Sequence, residues 1–127
     1  MFKKIKYGIQ RYKRGWSDED AWDFHSYLAE IIPPVVRKLQ KGCGCPSEFF
    51  DKDNKSNECQ KWHDTLEEIA QGFEAIEEIG NYAYQKWEKQ EDGNYKLETD
   101  QEALNNLHDK AQRALELFSK HYFALWD

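Results

Sequence analysis

The chain has 127 residues, 18 Lys and Arg against 24 Asp and Glu, a net charge of −6 and 15% aromatic residues, five of them tryptophan. That length suits one domain with one modest core, and no apolar run approaches the roughly 18 residues that span a bilayer. The basic N-terminus lacks the apolar stretch of a signal peptide and three cysteines leave an odd thiol, which sets the expectation of a cytoplasmic protein with neither a disulfide framework nor a membrane partner.

Charge is unevenly placed along the chain. The first fourteen residues hold Lys3, Lys4, Lys6, Arg11, Lys13 and Arg14 and no acidic side chain, so all the carboxylates lie beyond them. Such a split acts on association, because a field of one sign steers partners of the other. Phe2, Ile5, Tyr7, Ile9 and Tyr12 are interleaved with these cations at a loose period, and Gly8 and Gly15 weaken a continuous helix. Residues 1–16 are read as a basic aromatic arm of undecided conformation, and residues 17–127 as a single domain. The arm offers cations for phosphates and rings for bases of a nucleic acid, or a dock on the acidic body of a second copy.

Ser17 is a good N-cap, and Asp18, Glu19 and Asp20 put negative charge where it suits a helix dipole. With Trp22, Phe24, Leu28, Ile31 and Ile32 following, a helix over about 18–32 is predicted. Pro33 and Pro34 remove two backbone donors and disfavour helical geometry at Ile32, so that helix is expected to stop or kink. A short helix then restarts through Val35, Val36 and Leu39 as far as Gly42, and a long loop follows to about residue 57.

Trp62, Leu66, Ile69, Phe73, Ile76, Ala83 and Trp87 fall at helical steps and predict a long helix over 57–89, thinned at Gly80. Glu91-Asp92-Gly93-Asn94 reads as a turn, and Thr99 with Glu102 as a capping box that opens a last helix over 100–125. Its stripe is Leu104, Leu107, Ala111, Ala114, Leu115, Phe118, Tyr122 and Leu125. The expected fold is therefore all-α: a small helical bundle of three main helices plus a short helix after Pro33-Pro34, the two long ones antiparallel.

Three constellations carry candidate chemistry. Cys43, Cys45, Cys59 and His63 supply four ligand types suited to tetrahedral zinc, with Cys59 and His63 one helical turn apart, and the alternative is ordinary thiols. Glu67, Glu68, Glu74, Glu77 and Glu78 resemble half of the acidic helix motif with which all-α nucleotide pyrophosphohydrolases hold magnesium, but no Glu-x-x-Asp follows on the next helix. Glu67, Glu74, Glu78, Glu88 and Glu91 are also spaced to present an acidic row that could imitate nucleic acid, the preferred alternative being a solvated helix face. Phosphate-loop, serine-hydrolase, zincin and Glu-x-x-His di-iron patterns are absent.

The string from Arg14 to Trp22, the later Leu28-Ala29-Glu30-Ile31-Ile32-Pro33-Pro34 and the ending from Leu117 to Asp127 resemble a group of short proteins encoded by tailed phages and phage-like metagenomic contigs. The resemblance covers nearly all of the chain after Lys13. It implies a phage or prophage origin and carries no activity or catalytic residue with it. Where members of that group often have a His-Gly-Tyr-Pro-like loop, this chain has Gly42-Cys43-Gly44-Cys45-Pro46.

The reading that results is a non-enzymatic phage-type interaction protein, acting by surface and charge complementarity on a host or defence protein in the cytoplasm of an infected bacterium. The alternatives are a metal-dependent nucleotide-handling enzyme and a zinc-stabilised helical module. Lys3, Lys4, Lys6, Arg11, Lys13 and Arg14 are the candidate interaction residues, with Trp126 as a group that fills a partner's groove in a homo-oligomer.

Overall fold

The computed structural model describes residues 1–42, 44–49, 59–80 and 84–126. Among them, helices α1 (Phe2–Arg14), α2 (Asp18–Trp22) and α3 (Phe24–Gln40) lead to a 3-10 turn at Ser47–Phe49 and then to α4 (Gln60–Ile79). Strands β1 (Gln85–Lys89) and β2 (Tyr95–Thr99), helix α5 (Gln101–Lys120) and a 3-10 turn at Tyr122–Ala124 complete the order. Five helices and a two-stranded antiparallel sheet replace the expected all-α bundle of three main helices.

The core is built on α4, which packs against both α3 and α5. Trp62, Leu66, Ile69, Ala70 and Phe73 recur at steps of three, four and one, so they share one face of α4. They are buried with Val36 of α3 and with Ala114 and Leu117 of α5. Leu66 and Ile69 have no exposed surface, and burial of one such side chain stabilises by about 2 kcal/mol. α4 and α5 approach closely at Gly72, where a Cβ would stand 2.0 Å from the Ala114 Cβ and 2.7 Å from the Lys110 carbonyl oxygen. Only a hydrogen at position 72 fits that separation.

Four sequence expectations are corrected. The helix expected over 18–32 is broken at Asp23, whose backbone (φ −133°, ψ 62°) is not helical. α3 then runs unbroken through Pro33 and Pro34, with Ala29, Pro33 and Val36 buried along one face. Packing of α3 on α4 thus holds helical backbone that the missing donors oppose, as tertiary context overrides local propensity. α4 stops at Ile79 instead of reaching residue 89, and Ala83 lies outside the described residues. α5 is capped by Asp100, whose carboxylate accepts from the Ala103 N–H at 3.1 Å, while Thr99 ends β2.

The hairpin sits between α4 and α5. Trp87 pairs with Leu97 and Lys89 with Tyr95, and the alternation of strand side chains puts these four on one face with Gln85 and Thr99. The other face carries the cross-strand charge pairs Lys86 with Glu98 and Glu88 with Lys96. Its connection is the turn foreseen at 91–94: Gly93 takes φ 85°, a left-handed value suited to glycine, and the Asn94 N–H donates to Asp92 Oδ1 at 2.9 Å.

Candidate functional site

The basic arm is a helix, and half of its cations face inward. Gly15, at φ 82°, ends α1 in a left-handed cap whose N–H donates to the Arg11 carbonyl. The chain then turns into the capping box of α2: the Ser17 N–H donates to Asp20 Oδ2 at 2.8 Å, and the Asp20 N–H donates to Ser17 Oγ at 3.3 Å. The Arg11 guanidinium grips the same carboxylate with two donors, Nε at 2.9 Å and a terminal nitrogen on the other oxygen. Hydrogen bonding from Arg11, then from Ser17, holds the Asp20 carboxyl well below the usual carboxylate range, and Asp20 in turn raises the Arg11 pKa.

Asp18 is clasped beside it. Gln10 donates to Asp18 Oδ2 at 2.7 Å and accepts from the Asp18 N–H at 2.9 Å, while Arg14 and Lys6 add cations. These partners, Gln10 first and Arg14 second, lower the Asp18 pKa. The Arg14 guanidinium lies 3.8 Å over the Trp16 ring, and Tyr27 of α3 donates to the Gly15 carbonyl at 2.9 Å. Lys6, Arg11 and Arg14 are thus directed at the first turn of α2. Lys3, Lys4 and Lys13 form no ion pair among the described residues.

The carboxylates of α4 are engaged separately. Arg37 of α3 reaches across to both Glu67, at 3.0 Å, and Glu74, so a guanidinium occupies the place where a divalent ion would have to bridge them. Gln40 and Gln71 add donors to Glu67 at 3.1 and 3.2 Å. The hydrogen bonds from Arg37 dominate and bring the Glu67 pKa down to about 2, while Glu74 and Glu67 raise that of Arg37. Glu68 pairs with Arg113 at 3.4 Å, and Glu78 accepts from the Tyr84 hydroxyl. The acidic row proposed to imitate nucleic acid is broken as well, because Glu88 lies in β1 and Glu91 in the hairpin turn.

The zinc expectation is corrected. Among the described residues no group of three or more His, Cys, Asp and Glu side chains is placed to hold a metal ion. Cys45 lines an apolar cleft of about 250 Å³ with Leu39, Pro46, Trp62, Ala124 and Trp126, and Cys59 precedes α4. His63 lies half-buried on α4, and Cys43 lies outside the described residues. The buried histidine is a different one. His121 packs edge-on to Trp62 at 5.5 Å and against Phe49 at 5.2 Å, with its Nδ1 3.1 Å from Glu48. Trp126, the candidate groove-filling residue, is 77% exposed on the rim of the Cys45 cleft.

Two surfaces escaped the sequence reading. One is the hairpin face, where Trp87 is 69% and Tyr95 63% exposed. Its signal was the alternation Tyr95-Lys96-Leu97-Glu98-Thr99 beside a glycine turn. The other is a single face: Phe2, Ile5, Ile9 and Tyr12, visible in the sequence only as a loose alternation in an arm of undecided conformation, are aligned by steps of three, four and three on one side of α1.

No protein-family model, curated protein or solved structure matches the chain. No described helix is long and apolar enough to cross a membrane.

Proposed function

We propose that the chain is a non-enzymatic interaction protein that works on a protein partner by surface and charge complementarity. The observation that carries this reading is the hairpin. An isolated two-stranded hairpin is marginal in water unless a face is covered, yet Trp87, Tyr95 and Leu97 stand exposed on one face and, among the described residues, no helix packs extensively on it. Aromatic side chains exposed on a strand pair are the kind of anchor that dominates binding energy at an interface. The α4 carboxylates, held by Arg37, Arg113 and Tyr84, support a structural role for the groups that an enzyme would need free. The resemblance to short phage-encoded proteins supports a bacterial host protein as the partner and the cytoplasm as the place.

The test uses the full chain and its Trp87→Glu, Tyr95→Glu double variant, compared for thermal stability and for proteins retained from host lysate. Stability is expected to change by no more than about 0.5 kcal/mol per exposed site, while a specific retained protein is lost. Unfolding of the variant at much lower temperature would make the face a structural cover. Nucleotide turnover by the wild type that disappears in Glu74→Gln would replace the reading with an enzymatic one.

A further inference from the structure

α1 is mounted with its apolar side outward. An amphipathic helix on a globular protein ordinarily turns its apolar stripe to the core and its charges to water. Here the residues that touch the rest of the chain are polar or amphipathic: Gln10, Arg11 and Arg14 clasp Asp18 and Asp20, and Tyr7 meets the edge of Trp22 with ring centroids 6.1 Å apart. The stripe lies on the opposite side of the helix. Phe2 is 87%, Ile5 56%, Ile9 50% and Tyr12 91% exposed, and no residue of α1 is buried. Trp16 lies past the Gly15 cap, under the Arg14 guanidinium, and with Asp20, Ala21, Phe24 and Tyr27 lines a separate, largely apolar cleft.

We propose that α1 is a docking helix for an anionic lipid surface, lying in the headgroup plane with Phe2, Ile5, Ile9 and Tyr12 inserted and its lysines on lipid phosphates and carboxylates. This inference is independent of the hairpin. Charge selects the occupant. The first seventeen residues contain no acidic side chain. Lys13 flanks the stripe on one side of the helix with no ion pair among the described residues, where its long stem covers apolar surface while the ammonium group stays at the headgroups; Lys6 on the same flank stands 3.8 Å from Asp18 and is 64% exposed. A nucleic acid would satisfy these cations and leave the stripe in water. A second α1 would cover the stripe and set two helices of like charge side by side.

A further apolar groove, of about 440 Å³ and lined by Ile32, Val35, Leu39, Phe118, Tyr122 and Leu125, lies along α3. No carboxylate lines it among the described residues, so it offers the cations of α1 no partner. An anionic bilayer alone among these partners offers both negative charge and an apolar interior to a helix of this composition. The acidic remainder of the chain is repelled by the same surface, which favours an approach led by α1, because the field fades within a Debye length of about 8 Å at physiological salt.

Flotation of the full chain with vesicles of phosphatidylcholine, alone or mixed with phosphatidylglycerol, tests the proposal. Binding to the mixed vesicles is expected to exceed binding to neutral ones by more than about tenfold and to fall with salt, each lysine near the surface contributing roughly fivefold. Ile5→Glu with Ile9→Glu is expected to abolish flotation while circular dichroism and thermal stability stay unchanged, since both positions are exposed. Lys3→Glu with Lys4→Glu and Lys13→Glu is expected to weaken binding and remove its lipid-charge preference. Equal binding to both vesicle types, no binding to either, or full binding by the Ile5→Glu, Ile9→Glu variant would overturn the proposal. So would salt-sensitive oligonucleotide binding that outcompetes the vesicles, or self-association of the lipid-free chain that Ile9→Glu abolishes.

Discussion

α1 and α4 carry nearly the same apolar spacing, and the fold uses them in opposite ways. On α4 the stripe Trp62, Leu66, Ile69, Phe73 is buried, while Glu67 and Glu74 on its flank meet Arg37. On α1 the polar flank is what holds the helix to the chain, through Arg11 and Asp20, and the stripe is left in solvent. The contrast teaches that a three-four repeat identifies a helix and its apolar face without saying what covers that face. The partners of the polar side settle it.

Substitutions widen or erase that contrast in a definite order. Leu66→Ala removes fully buried methyl groups at the centre of the α4 face and is expected to cost about 4 kcal/mol, read by chemical denaturation. Gly72→Ala drives a methyl group into Ala114 and the Lys110 carbonyl, for an expected loss of about 3 kcal/mol with α4 and α5 pushed apart. Ser17→Ala deletes the N-cap oxygen of α2 at a site with no exposed surface and is expected to cost about 1 kcal/mol.

Smaller still is the effect of acid on the Arg37 clasp. The Glu67 pKa is depressed in the folded state, so the stabilisation is fully present above its ordinary value of 4.5 and is lost as pH falls towards about 2. Both side chains of the pair are more than a third exposed, so solvent screens the gain. Melting temperature is expected to decline over that window, and to decline less steeply in Arg37→Met, where no cation remains to favour the charged carboxylate. An equal slope in the two proteins would remove the clasp as a source of stability.

The helical core was legible in the sequence because its pattern is long: the stripe from Trp62 to Ile76 survives in α4, and Ala111, Ala114 and Phe118 of the α5 stripe face the core, whereas Leu115 of that stripe is exposed and Leu117, outside it, is buried. The Ser17 cap and the 91–94 turn were legible because each has a local mechanism, a side-chain oxygen for orphan N–H groups and a glycine at positive φ. Local rules failed where distant contacts decided. Pro33 and Pro34 stay inside α3 because Pro33 lies on the buried face with Ala29 and Val36, while Pro34 beside it is exposed. Trp87 continued the α4 stripe by step counting alone, while β1, a short segment of Gln, Lys and Glu around one tryptophan, has too little strand character to declare itself.

The candidate sites were less legible than the fold. The arm's cations were visible, but their pairing with Asp18 and Asp20 depends on the left-handed cap at Gly15, which folds α1 back beside α2. The cysteines were visible too, and the placement of Cys45 in an apolar cleft was not.

The most direct measurement compares thermal unfolding of Ile9→Glu with that of Ile69→Glu, the same substitution on the two matching stripes. Ile9→Glu is expected to melt within about 2 °C of the wild type, as an exposed change near 0.5 kcal/mol implies, and Ile69→Glu is expected not to fold. A comparable collapse of both variants would mean that the α1 stripe is covered by the chain itself, contradicting the outward mounting on which this account rests.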